Sequence, residues 1–580
     1  MTLRPKSGRL ALFVCCLLAA IVSPLQRLNA QEKAATDKGK IYYGVLDVKV
    51  RVFRFVITVD GDTAKLKSLD EGGREFDLSS LKLDDSQFNF ELKASKAKYE
   101  SSFDKETKTF KGEWKQGFGA YDLEFKSVDK VPADPTSEIW EGELNAGGRK
   151  MVLRFRVYEN GDHQVLLDSP NERVGGFTGT VEEKEGKTIY TIPAIRGKFT
   201  GKLSDDKSKM KGTWNQGVEF PMEMKKVSAK EMKKDVAAPK RPQTPKAPFP
   251  YVATNVTIQN KAADLTLAAT LTIPKQGNKF PCAILISGSG AQDRDETLMD
   301  HKPFWVIADH LSRNGIACLR FDDRGTAKST GDHSTATSQD FATDVSAIVD
   351  FLKTQPKIDA TQIGLCGHSE GGLIGPIVAA QRDDVAFVVM LAGPGVNGEK
   401  ILKNQLRLIL KATGAGDEDI EVASFLQNQL IDIAKTSGKI DDEKLSAAVD
   451  KLVAKFPSQE KEKEQILNNA KVGAQRLAGP WMQYFLTYEP GPTLEKVKCP
   501  VFAINGSKDT QVDPKLNFPA IRKAFENSGK KNFEIVLLDN LNHLFQNCET
   551  GALDEYQSIE ETFDPNALKL VSDWILKVTK

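Results

Sequence analysis

Three regimes of apolar and polar spacing succeed one another along this 580-residue chain. Up to about residue 228, apolar and polar positions alternate in short runs such as VKVRVFRFVITV, interrupted by the turn signals Asp60-Gly61-Asp62 and Asn160-Gly161-Asp162. A period of two puts one face of a segment inward, so these runs predict antiparallel strands joined by hairpins. From Tyr251 the pattern changes to solid apolar runs of strand length: LTLAATLTI, CAILIS, IACLRF, IGLCG, FVVMLAG, VFAING and EIVLLD. Between them lie segments of helical period, among them FWVIADHLSRNG, DFATDVSAIVDFLKTQ, 371–380, 514–526 and 565–578. Strands alternating with helices predict a mostly parallel sheet covered on both faces. One stretch, about 396–490, carries helical spacing alone (Leu402, Leu406, Ile409; Val422, Phe425, Leu426, Leu430). Lying between two strands, it predicts a helical cap inserted into the α/β domain.

The β-rich part repeats itself at an offset of 100 residues. Val52-Phe53-Arg54-Phe55 aligns with Val152-Leu153-Arg154-Phe155, and Lys111-Gly112-x-Trp114-x-Gln116-Gly117 with Lys211-Gly212-x-Trp214-x-Gln216-Gly217. Such regular identities indicate duplication, giving two tandem β modules at 32–131 and 137–228, each a sandwich or small barrel. Trp114, Trp214, Phe55 and Phe155 read as core, with stacking on a ligand such as a sugar as the alternative. An envelope component or a polymer is the class of ligand expected for the modules. Residues 229–250, with a lysine-rich start and Pro239, Pro242, Pro245, Pro248 and Pro250, read as an extended spacer ahead of the domain at 251–580.

Arg4, Lys6 and Arg9 precede the apolar run Leu10–Val22, which Pro24 ends. A run this short suits the apolar region of a signal peptide; a spanning helix needs about 20 residues. Residues 1–30, with the small Ala30 at the cleavage point, therefore predict export to the periplasm or the exterior. No membrane span is expected after cleavage. The residues before Cys15-Cys16 (Leu12-Phe13-Val14) lack the small residue of a lipidation site.

Composition narrows the chemistry. With 80 Lys and Arg against 79 Asp and Glu, no basic surplus points to nucleic acid. Beyond the leader, five cysteines remain, four of them in strand-like runs, an odd set that predicts buried thiols rather than a disulfide framework. The six histidines are scattered without HExxH or a zinc spacing, so neither metal nor cofactor is expected.

Gly367-His368-Ser369-Glu370-Gly371 matches G-x-S-x-G directly after the strand IGLCG and before a helix. That strand–turn–helix context exposes a serine hydroxyl above the strand end, beside the N–H groups of a helix N-terminus. A serine nucleophile needs a base and an acid, in the chain order Ser, acid, His. His543, in LDNLNHLF, is the only histidine after Ser369. The acid is read as Asp509, in the loop after VFAING, with Asp513 as runner-up. Oxyanion donors are expected from the N–H of Glu370 and from Ser289, in the glycine-rich loop Ser287–Gly290. Trp481, Tyr484 and Phe485 are candidates for an acyl pocket, or for the core of the cap. Arg324, in DDRG, reads as a structural salt bridge, with a grip on a substrate carboxylate as the alternative.

At this point the stretches SGSGAQDRDE, RFDDRGTAKSTGD, CGHSEGG, CPVFAINGSKDTQVDP and LNHLFQ resemble the α/β-hydrolase family of EstD-type bacterial carboxylesterases, the dienelactone-hydrolase-like serine esterases. The resemblance covers residues 245–580. It implies an α/β-hydrolase fold, cofactor-free hydrolysis of small carboxylic esters, and Ser369, Asp509 and His543 as the triad. Two departures stand out: Ala327 replaces a usual glycine, and the cap is long. An amidase, peptidase or thioesterase could use the same triad. A protein of another class, an envelope binder with an inert hydrolase domain, would not need these groups intact.

Overall fold

The computed structural model describes residues 40–580 except 93–96, 117–118, 147–148, 160–162, 173, 196, 217–218, 229–230, 233–239 and 438–440. The leader read at 1–30, the second hairpin turn and most of the first half of the spacer lie outside the described residues. The chain divides into two compact units between Ala238 and Pro239.

In the first unit, nine strands between Lys40 and Val128 form one antiparallel sheet whose first and last strands are neighbours, Ile41 pairing with Val128. Eight strands between Glu138 and Lys226 close into a barrel, Trp140 pairing with Lys226. The same cross-strand pair recurs 100 residues on: Tyr99 opposite Trp114, then Phe199 opposite Trp214. Inward positions are aromatic. Phe88, Phe90, Tyr99 and Phe125 pack in the first module, and Phe155, Tyr190, Phe199 and Trp214 in the second. Trp114, Trp214, Phe55 and Phe155 are all buried, so these rings are core and not a stacking platform for a ligand. Each such side chain removes about 150–250 Å² from water, enough to make short alternating strands cohere.

The two modules are joined by buried charge. Asp70 of the first accepts from Arg54 (2.6 Å) and from Arg156 of the second (2.8 Å), and Arg156 also reaches Asp168 at 2.8 Å. Arg51 lies over the rings of Phe53 and Phe177, at 4.4 and 4.8 Å. Removing one partner of a buried ionic cluster strands the others, at about 3–5 kcal/mol. Arg156→Ala should therefore lower the stability of this unit by about that amount in a denaturant titration. A loss near zero would mean that the modules do not depend on each other.

The second unit is built on an eight-stranded sheet: β1 (Tyr251–Asn260), β2 (Leu265–Pro274), β3 (Phe280–Ile286), β4 (Ala317–Phe321), β5 (Ile358–His368), β6 (Val388–Leu391), β7 (Val501–Gly506) and β8 (Phe533–Leu538). The spatial order is β1-β2-β4-β3-β5-β6-β7-β8, antiparallel through β2 and parallel from β4 onward. Helices α1 (Pro303–Arg313), α2 (Ser338–Lys353) and α3 (Gly371–Gln381) follow β3, β4 and β5. Val345, Ile348 and Ile377 of α2 and α3 pack on one face of the sheet. Phe304 and Leu311 of α1 cover the other face with the C-terminal helix at Pro565–Val578. This is the α/β-hydrolase fold, and it leaves the ends of β3, β5, β7 and β8 free to carry loops on one edge.

Between β6 and β7 stand the cap helices α4 (Gly398–Ala412), α5 (Asp417–Ser437), α6 (Asp442–Lys455), α7 (Lys463–Leu477) and α8 (Pro480–Thr487). They enclose a core of their own, with Leu406, Leu430, Leu445, Leu452, Leu477 and Leu486 buried together. Asn397 donates to Glu489 at 2.6 Å, which ties the two ends of the cap at its base.

From Lys240 the proline-rich segment is held against the hydrolase. Arg241 donates to the backbone oxygens of Ile559 (2.8 Å), Gln557 (2.9 Å) and Met299 (2.8 Å), and Gln243 to that of Phe563 (2.7 Å). Its described part is thus a strap. Pro242 sits in a turn closed by Thr244 N donating to Arg241 O at 3.1 Å, and two polar side chains supply the attachment.

Candidate active site

Ser369 occupies the turn between β5 and α3 with φ of 53°, a left-handed conformation that L-residues adopt at a cost. The turn fits only because of its glycines: a Cβ on Gly371 would lie 2.1 Å from the backbone oxygen of Ile286. The Ser369 N–H is anchored to Leu391 O at 2.8 Å, so the serine is fixed between the ends of β5 and β6.

Asp509 and His543 meet from two other loops. His543 Nδ1 lies 2.7 Å from Asp509 Oδ2, and both side chains are buried. Asp509 Oδ1 accepts from the N–H groups of Gln511 (2.7 Å) and Val512 (2.9 Å), which fixes the carboxylate's orientation. Burial opposes the charge of Asp509, but the imidazole and these donors outweigh it, so its pKa is held below the usual carboxylate value. The two loops approach closely because Gly506 has no side chain; a Cβ there would sit 2.1 Å from Leu541 O. Asn542 Oδ1 accepts from Leu544 N and Gln546 N, both at 3.0 Å, and shapes the loop that carries His543. The runner-up acid, Asp513, is engaged elsewhere. It accepts from Lys515 N (3.0 Å) at the start of the helix Pro514–Asn527 and from Asn404 Nδ2 (2.8 Å) in α4.

Ser289 and Glu370 stand with Ser369 and His543 on the wall of one cavity of about 260 Å³. The Ser287–Gly290 loop is braced from beneath. Ser287 Oγ donates to Asp323 Oδ1 (2.7 Å), Gln292 N to Asp323 Oδ2 (2.9 Å) and Gly288 N to Glu296 Oε1 (2.8 Å). Burial pushes the Asp323 pKa well up. The outer wall is apolar: Ile401, Leu402, Leu406 and Ile409 of α4, with Trp481, Met482 and Phe485 of α8. Trp481 stacks on Phe485 (5.2 Å between ring centroids) and donates from Nε1 to Glu370 Oε1 at 2.7 Å, fastening the cap to the serine turn. Ser338 Oγ donates to the same oxygen at 2.6 Å. Tyr484 is turned off this wall and stacks on Tyr488, one helical turn on, at 5.0 Å. Residues 481, 482 and 485 share one helix face, and 484 lies on another. Arg324 is consumed by Asp344 (2.7 Å), the structural bridge read from DDRG.

Residues 304–549 match the family described as serine aminopeptidase, S33 (Hydrolase_4). The esterase EstD of Thermotoga maritima is 25% identical over 314 residues, which is 54% of this chain and 66% of that protein. The C-terminal unit is similar to the EstD-like α/β-hydrolases. The chain thus spans slightly less than two thirds of this relative's length. Among solved structures, an esterase of Pyrococcus furiosus is 14% identical with a TM-score of 0.36, covering 59% of this chain and 99% of its own. Est1E of Butyrivibrio proteoclasticus, solved with ferulic acid bound, is 20% identical with a TM-score of 0.32, covering 56% and 97%.

Within this EstD-like unit, sequence reasoning passed over two residues. His368 is buried between Glu296 Oε1, 2.9 Å from its Nδ1, and His543 O, 3.0 Å from its Nε2. The signal available was the histidine inside G-x-S-x-G itself. Its acidic partner, 72 positions away in SGSGAQDRDE, had no spacing to single it out. Ala327, the departure from the glycine pattern, takes a left-handed φ of 48°. No helix among the described residues is long and apolar enough to cross a membrane.

Proposed function

We propose that the second unit hydrolyses carboxylic esters through an acyl-enzyme. Ser369 Oγ attacks the ester carbonyl while His543 Nε2 takes its proton and passes it to the leaving alcohol. Asp509 holds the imidazole in orientation and stabilises its charged form. The N–H groups of Ser289 and Glu370 stabilise the oxyanion. Water, activated by the same imidazole, then attacks the acyl-serine and releases the acid. The observation that carries this reading is the shared cavity wall: Ser369, His543, Ser289 and Glu370 line one space, with Asp509 2.7 Å behind the imidazole.

The substrate is a neutral ester with an apolar acyl arm. The cavity lining includes no Lys or Arg to attract an anion, and α4 and α8 present aliphatic and aromatic side chains to it. An aminopeptidase would need an anionic anchor for an α-ammonium group. Glu296 already accepts from Gly288 and His368, and Glu370 from Ser338 and Trp481, which favours the ester. The leader makes the protein an exported one, and the first unit a binder of an envelope component or polymer. A mature N-terminus at Gln31 is the expected result of sequencing the secreted form.

The deciding assay is turnover of aryl acyl esters of graded length beside amide and thioester analogues. Ester kcat/KM should rise with acyl length until the cavity is filled, with anilides of equal length far slower. Anilides turned over as fast as esters would transfer the protein to the amidases, and no turnover of any acyl substrate would leave the hydrolase unit inert.

A further inference from the structure

His368 stands directly before the candidate nucleophile, yet the triad gives it no part. Both of its ring nitrogens face oxygen: Glu296 Oε1 at 2.9 Å and the backbone oxygen of His543 at 3.0 Å. A carbonyl and a carboxylate only accept. A neutral imidazole has one N–H and satisfies one of them, whereas an imidazolium has two and satisfies both. The same Glu296 oxygen accepts from Gly288 N at 2.8 Å. Three chain segments therefore converge on one pair: the turn bearing Ser369, the loop bearing His543, and the loop bearing Ser289.

We propose that His368 is a positioning residue, held as an imidazolium by Glu296, and that this ion pair sets the register of Ser369, His543 and the oxyanion loop. Its bearing on turnover rests on the triad reading above; its charge state does not. Asp509 fixes His543 by its ring, and His368 fixes the same residue by its carbonyl, so the catalytic base has two anchors on opposite ends. The ionisable groups around His368 come from each neighbouring loop. Glu296, after β3, is in contact; Asp509, after β7, acts at longer range; and the His543 ring, after β8, lies 4.8 Å away between centroids. On its own strand, Cys366 is a fully buried thiol whose pKa burial pushes up, so it stays neutral.

Burial opposes the charge on His368, but the Glu296 carboxylate and the hydrogen bonds outweigh it, and its pKa is raised above 6.5. A histidine raised on folding adds stability that is full below its unfolded pKa and is lost as pH climbs through the folded one. The pair should thus hold on the acid side and fail as pH climbs through the raised midpoint, giving kcat an alkaline limb that belongs to His368.

Full-length protein labelled with ¹⁵N-histidine provides the test, with His368→Asn assigning the resonance and Glu296→Gln removing the anion. At pH 7 both His368 nitrogens should carry protons. In Glu296→Gln the midpoint of that titration should fall by about one pH unit or more, and the alkaline limb of kcat should move down with it, KM staying within about threefold. Glu296→Asp, which keeps the charge, should retain the raised midpoint. One bare His368 nitrogen in the wild type at pH 7 would overturn the proposal. So would a titration indifferent to Glu296→Gln, or a kcat limb that stays put while the titration moves. If no ester is turned over, the triad reading fails, and the wild-type titration still decides the ion pair.

Discussion

Ser369→Ala should reduce kcat on a short aryl ester by a factor on the order of 10⁶ and leave the thermal transition where it is. The size follows from the role proposed for the hydroxyl. Without it there is no acyl-enzyme, and only the oxyanion donors and the cavity remain to accelerate attack by water. The unchanged stability follows from the turn. Alanine takes the same left-handed φ at the same cost, the N–H of position 369 still reaches Leu391 O, and Gly371 still allows the close pass beside Ile286. Activity above a few per cent of wild type would place the nucleophile elsewhere. A transition lowered by several degrees would mean that the hydroxyl braces the turn, and the loss of rate would then carry no mechanistic weight.

The elements of this site differed in how plainly the chain announces them. Ser369 and His543 are legible because their signals are local or exclusive: a glycine-flanked serine between a strand and a helix, and the one histidine downstream. The sheet is legible because strands buried on both faces read as solid apolar runs, and the cap because helical spacing displaces them. What was hidden depends on contacts distant in sequence. Glu296 is one acid among several in its loop until folding sets it against His368. Sandwich and barrel share a period of two, and only the full set of strand pairings distinguishes them: both modules pair first strand with last, yet only the second closes into a barrel. Trp140 opposite Lys226 is a contact that no local pattern encodes. Tyr484 sits among cavity aromatics in sequence, but the start of α8 at Pro480 decides which side of the helix it takes. The segment after Lys240 has the composition of a spacer, and one arginine and one glutamine turn its described part into a strap.

The acid of the proposed triad gives the second large effect. Asp509→Asn should lower kcat by about 10⁴, because an amide can present its N–H₂ to Nδ1 and stabilise the wrong tautomer of His543. The carboxylate has no slack: Oδ1 is taken by the N–H groups of Gln511 and Val512, so Oδ2 is the atom committed to the imidazole at 2.7 Å. In the variant, the amide oxygen is the better partner for those two N–H groups, which leaves the amide nitrogen facing the ring. Asp513→Asn is the matched control. Its carboxylate accepts from Lys515 N at a helix start and from Asn404 of the cap, and asparagine caps a helix nearly as well as aspartate. That variant should lose no more than about 1 kcal/mol of stability and keep kcat within a few-fold of wild type. Rates measured for both at the pH optimum decide the matter. If Asp513→Asn were the slower enzyme, Asp513 would be the acid, and the 2.7 Å contact between Asp509 and His543 would be a brace with no part in turnover.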